Sequence, residues 1–225
     1  MHGDSGASYG RAMTSTAFPA SHPIELSVSG DLTRSRATVF FRGLLVIPHV
    51  LWLFIWTYAI GLVLVFQWFA TLFAGRMEED VHGFLGRYVR YHVHVYSYLF
   101  LLANPYPRFR GLPGAYPVDL ELDPPGRQNR WTVFFRIILG IPAYVFATVL
   151  GTVIYVIAFL GWFASLVAGR MPKGMRDLGA YCLRYQTQAY AYLMLLTQRY
   201  PSLAGGTTGV QEAQLGTPLE DGTLS

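Results

Sequence analysis

Five residues at helical spacing, Arg87, Arg90, Tyr91, His94 and Tyr98, are the strongest candidates for chemistry in this chain. At about 100° per residue they fall within one sector of a helix. A second set, Tyr181, Arg184, Tyr185, Gln188 and Tyr192, stands 94 positions further on. In both sets the Arg and the last two Tyr are identical, and the His/Gln position keeps a hydrogen-bonding side chain. Such a polar stripe on an otherwise apolar helix has two readings. In one it lines a groove in which Arg90 and Arg184 grip an anionic headgroup, with Tyr91, His94, Tyr98, Tyr185, Gln188 and Tyr192 as the walls. In the other the arginines snorkel to the membrane surface and the tyrosines form an interfacial belt. Arg76 and Arg170 each follow a glycine at the end of an apolar run. A cation there complements the helix dipole and anchors the helix at headgroup depth.

The histidines do not assemble a metal or haem site by spacing. His92 and His94 fall on different helix faces, and His49, His82, His92 and His94 become Ala143, Arg176, Gln186 and Gln188 in the second set. A haem held by His49 and His94 on facing helices is the one redox arrangement left open, and no Cys-x-x-Cys-His occurs. Neither a nucleophile elbow, a zinc-protease His pair nor a phosphate loop is present. The only acidic cluster near an apolar run, Glu78-Glu79-Asp80, is replaced by Pro172-Lys173-Gly174 in the second set. The expectation is a protein without catalytic residues, metal or cofactor.

The elements that must carry the stripes are apolar and long. Hydrophobic residues make up 52% and charged residues 13% of the 225 positions, about half the charge of an ordinary soluble domain. A net charge of +4 is too mild and too scattered for nucleic acid. One cysteine, Cys182, excludes a disulfide scaffold. The stretches 43–75 and 137–169 each run 33 residues without a charge, whereas a bilayer core needs roughly 20. Pro48 and Pro142 lie near the start of each run and predict a break. Thr38–Ile47 and Thr132–Ile141 are therefore expected as short interfacial helices, with spans at about 48–74 and 142–168. The first 37 residues contain no apolar leader core.

The chain is one unit written twice. Thr38-Val-Phe-Phe-Arg42 recurs as Thr132-Val-Phe-Phe-Arg136. Likewise the run from Trp68 to Met77 recurs from Trp162 to Met171, and Tyr106-Pro107 recurs as Tyr200-Pro201. Over 70 aligned positions, without a gap, 26 are identical. Each copy adds a weaker, tyrosine-rich segment, at about 83–104 and 178–198. Two crossings per copy would give both copies the same orientation, and one crossing would invert them. Two crossings are the favoured arrangement. The segments Pro23–Val28 and Val118–Leu122 alternate apolar and polar residues and are expected as short strands that pair across the two halves and cap one end of the bundle. Basic residues number ten on the side of the termini against seven in the short turns, which leans the termini towards the cytoplasm. Residues 1–17 and 202–225 are expected to be disordered.

These motifs resemble a known family. The sequence Phe-Arg-x-x-Leu-x-Ile-Pro, an apolar run ending Trp-Phe-Ala-x-Leu-x-Ala-Gly-Arg, and the closing Tyr-x-Tyr-Leu-x-Leu-Leu before Tyr-Pro are similar to those of the uncharacterised bacterial membrane family called domain of unknown function 4389. The likeness covers two tandem copies, 18–110 and 111–201. It implies a bacterial integral membrane protein and no activity that can be carried over. The fold expected is an all-α membrane protein: a four-helix bundle of two tandem hairpins, each preceded by an interfacial helix and a short β-strand. The expected place is the bacterial inner membrane, multi-pass. The expected role is a non-enzymatic scaffold or accessory component of an envelope complex, with membrane lipid and another envelope protein as partners. The alternative is a carrier of lipid or a small amphiphile with its groove between the repeats.

Overall fold

The computed structural model describes residues 24–28, 36–122 and 124–203, with only the backbone of 24–28. The expected disorder of 1–17 and of most of the tail falls outside these residues. In chain order the elements are β1 (Ile24–Val28), α1 (Arg36–Ala74), α2 (Glu79–Leu99), β2 (Val118–Leu122), α3 (Arg130–Ala168) and α4 (Lys173–Leu193).

The two long helices are continuous. Residues 38–47 and 132–141 are not separate interfacial helices, because α1 runs through Pro48 and α3 through Pro142 for 39 residues each. A proline inside a helix loses one backbone bond and pushes away the carbonyl four residues before it. The segment before each proline is held in line from outside the helix. The buried Arg42 guanidinium donates to the carbonyls of Tyr98 at 2.7 Å and Ala103 at 3.1 Å. Arg136 donates to Tyr192 at 2.9 Å and Thr197 at 3.0 Å. In the turn that Pro48 loosens, the Tyr106 hydroxyl donates to the Leu45 carbonyl. Both long helices end at a left-handed glycine, Gly75 (φ 71°) and Gly169 (φ 70°), the conformation that costs glycine no Cβ clash.

The hairpins are set head to tail. The Trp68 indole, near the end of α1, donates to the Val133 carbonyl at the start of α3. The Trp162 indole, near the end of α3, donates to the Val39 carbonyl at the start of α1. Both bonds are 3.0 Å, and they can coexist only if α1 and α3 run antiparallel. A pseudo-two-fold axis perpendicular to the long helices therefore relates the copies. The expectation that both copies share one orientation is corrected: the register of the Trp contacts, which no hydrophobic pattern encodes, inverts the second copy.

The strands form as expected and pair antiparallel, with Leu26 opposite Leu120 at the centre of the ladder. Those two residues are themselves 94 apart, so the axis passes between them. The sheet does not cap the end of the bundle. β2 lies against the middle of α2 and β1 lies against α4, because Val118 and Leu120 are buried while Glu121 faces out. The molecule is thus three layers deep: α1 with α3, then α2 with α4, then the sheet and its flanking loops.

Burial divides the helices sharply. α1 and α3 have mean hydropathies of 2.0 and 2.2 in their most apolar windows and are long and apolar enough to cross a membrane. Only a narrow stripe of each is buried, in α1 Val39, Arg42, Val46, His49, Leu53, Ile60, Gln67 and Thr71. The remaining faces expose residues such as Leu44, Phe54, Phe66 and Phe73. The more polar α2 and α4 are buried on nearly all sides.

Candidate functional site

The stripe in the first copy is filled by the chain's own groups. Arg90 lies halfway along α2 and faces the sheet layer. Its Nε donates to Asp119 Oδ1 at 3.0 Å and its Nη2 to the Leu120 carbonyl at 2.9 Å. Asp119 also accepts from the backbone amides of Leu120 and Gly114. His94 Nε2 stands 3.5 Å from the same carboxylate, its ring against Tyr116. Asp119 is therefore the centre of a cluster that ties α2 to β2. Tyr91 points the other way and shares a 2.6 Å hydrogen bond with His49 Nδ1 on α1. His49 in turn stacks on Phe109 with ring centroids 4.1 Å apart. The Tyr98 ring lies under the Arg42 guanidinium at 4.3 Å.

In the second copy Arg184 lies over the Tyr181 ring, 5.3 Å from its centroid. Tyr185 is buried in a cluster with Ala143, Ala147 and Ala189. The Gln188 side-chain oxygen accepts from the Ser202 amide, and the Tyr192 ring lies under Arg136 at 4.6 Å. Of the candidate anchors, Arg76 and Arg170 are both exposed, and the backbone of Arg76 makes an antiparallel bridge with Arg127.

The stripe residues thus face several directions and do not share one open groove. His49 and His94 do not face each other, since each ring is taken up by separate neighbours on opposite sides of α2. Among the described residues no three His, Cys, Asp or Glu side chains are close enough to hold a metal ion.

Three sets of structural contacts lie outside the sequence-predicted stripes: Asp119, the Arg42/Arg136 pair and the Trp68/Trp162 pair. The last two had a signal, because both lie inside motifs identical between the copies. Asp119 had none, since its partner Arg90 is 29 residues away.

A cleft of about 710 Å³ opens elsewhere, at the end of α1. Its walls are Gln67, Ala70 and Ala74 of α1, the turn from Arg76 to Asp80, and Pro125–Arg127. No stripe residue lines it. Close by, His82 is buried near the start of α2, its Nε2 3.3 Å from the Leu196 carbonyl. Burial holds its imidazolium below the ordinary range, partly offset by that carbonyl.

The model of the family described as domain of unknown function, DUF4389, matches residues 36–110 and 130–204. The chain belongs to this family. It carries two tandem DUF4389 copies, which together take in all four helices and both stripes. The strand pair lies outside the matched segments. No curated protein and no solved structure matches the chain.

Proposed function

We propose that this two-copy DUF4389 protein is embedded in the bacterial inner membrane as a non-enzymatic scaffold or accessory component of an envelope complex. One observation carries the reading: the polar side chains are spent inside the protein while the apolar ones are turned outward. Arg42, Arg90 and Arg136 are each bonded to backbone carbonyls of their own chain. The long helices present Phe, Leu, Ile and Val on every side but one. Water makes such a surface unstable, whereas hydrocarbon or the apolar face of a partner makes it favourable. The carrier alternative needs free polar groups along a groove. The stripes supply few, because Arg90, Tyr91, Gln188 and Tyr192 already have partners.

Native mass spectrometry of the protein, gently extracted from its own membrane, tests this. The expected result is co-release of protein subunits without a fixed lipid adduct. A reproducible mass of one lipid class, lost in Arg90→Ala/Arg184→Ala protein whose near-ultraviolet dichroism is unchanged, would replace the scaffold with a carrier.

A further inference from the structure

We propose that α1 and α3 lie along the membrane plane, side by side in one leaflet, with the β1–β2 sheet facing water. This deepens the membrane reading above and rests on it; it replaces the multi-pass arrangement expected from the sequence.

The inverted packing leaves two ways to place the molecule in a bilayer, with the long helices across it or along it. Length speaks against the first. Each uncharged run of 33 residues, all but its closing glycine within one continuous helix, is about 50 Å long at 1.5 Å per residue. A hydrocarbon core of about 30 Å would require a tilt near 53°, beyond the usual range of about 0–40°.

The position of the charges speaks more strongly. Thr57 is close to the midpoint of α1 and hydrogen-bonds Tyr88 at 2.8 Å. Arg87, Arg90 and the sheet packed on them are therefore at mid-length of the long helices. Arg87 is exposed, and the segment bearing the exposed Arg110 packs on it through Gly111, whose Cβ would fall 2.1 Å from the Arg87 carbonyl. With the helices across the bilayer, these arginines, Glu121 and a two-stranded sheet with open edges would all sit at the bilayer centre. Exposed charges there cost about 2.5–3.5 kcal/mol each, and open sheet edges are not tolerated in hydrocarbon.

With the helices along the plane the sheet and its charges leave the hydrocarbon. The sheet with Glu121 forms the layer farthest from α1 and α3 and stands in water, and the exposed Arg87 lies one helical turn before Arg90, whose guanidinium reaches β2. A helix about 10–12 Å across fits one leaflet, half of a core of about 30 Å. The cations at the helix ends, Arg36, Arg76, Arg130 and Arg170, fall at headgroup level along a single surface, where anionic lipid attracts them.

The two turns that follow the long helices decide the matter, because the Trp bonds put them at opposite ends of the molecule. Single cysteines are placed at Glu79→Cys and Lys173→Cys in a Cys182→Ala background, and sealed membrane vesicles of each orientation are treated with an impermeant maleimide. The expected result is that both cysteines react in one vesicle orientation and both are protected in the other. Reaction of one cysteine in each orientation would overturn the proposal and establish spanning helices. A protein removed from membranes by carbonate, alone or as a soluble dimer covering its apolar faces, would overturn the membrane reading itself. Spin labels at Leu44→Cys, Tyr58→Cys and Phe73→Cys, all exposed on one side of α1, give a second readout. One common depth is expected, and a label at Tyr58 far deeper than the outer two would overturn the in-plane placement.

Discussion

The two copies share their ends and differ in their middles. At the ends the same contacts recur 94 residues apart: the guanidinium bonds of Arg42 and Arg136, the indole bonds of Trp68 and Trp162, and the left-handed Leu101 and Leu195. Each leucine closes a short helix so that a carbonyl two residues on, Ala103 or Thr197, turns to the arginine of its own copy. Between the ends, α1 meets α2 through large side chains, with His49, Leu53 and Trp56 against Tyr88 and Tyr91. α3 meets α4 through Gly140, Ala143, Ala147 and Gly151, which let the backbones approach closely. A Cβ on Gly151 would stand 2.5 Å from Gln186 Nε2, and Gln186 donates to the Ala147 carbonyl. The ends fix the architecture, so the middles are free to use either kind of seam.

If the ends are the shared frame, the largest effects should come from the arginines and should be alike in both copies. Arg42→Ala and Arg136→Ala each remove two guanidinium bonds to backbone carbonyls, leaving the Tyr98 and Tyr192 carbonyls only the amides of Leu101 and Leu195. Bonds to a charged donor contribute about 1.5–3 kcal/mol apiece, so a loss of roughly 3–6 kcal/mol is expected in detergent unfolding of either variant. A loss under about 1 kcal/mol in one copy would break the symmetry of the frame.

The close seam and the open face should respond oppositely. Gly151→Leu forces bulk into the close seam and should cost about 1–3 kcal/mol. Gly61→Ala on the exposed face of α1, where nothing lies within 4 Å, should be neutral or stabilise by up to about 1 kcal/mol. Equal thermal shifts for the two variants would remove the distinction between close and open packing.

Smaller again are the indole bonds. Trp68→Phe and Trp162→Phe should each cost about 1 kcal/mol, the net worth of an ordinary hydrogen bond plus some packing. A midpoint shift in only one of them would show that the reciprocal pair is unequal.

The smallest effect belongs to the first copy alone. His82 is buried with its proton affinity lowered, and Arg176 takes its place in the second copy. Below the unfolded value of about 6.5 the unfolded chain binds a proton that the folded chain resists, so stability falls as pH drops through that range. The thermal midpoint of wild type should decline from pH 7.5 to 5, and His82→Gln should flatten part of that decline. An unchanged slope in the variant would remove His82 from the pH response.

Much of this frame is legible in the sequence. The offset of 94, four helices and two strands follow from repeated motifs and from hydrophobic period, because those report which residues must be shielded from water. Pro48 and Pro142 misled, since a proline's local cost says nothing of the distant carbonyls that hold its helix in line. The stripe was real as a pattern but not as a groove. Helical spacing placed Arg90 and Tyr91 side by side, and only packing on both sides of α2 sent one to Asp119 and the other to His49.

The residues alone therefore determined the duplication, the family and the outward apolar faces of α1 and α3, all of them consequences of local pattern. The tertiary structure decided that the copies run head to tail and that the sheet lies over the middle of the short helices. It also decided that the buried arginines serve backbone carbonyls. Those features depend on contacts between residues 29 to 123 positions apart, and hydrophobic periodicity records whether a side chain is buried, not what it is buried against.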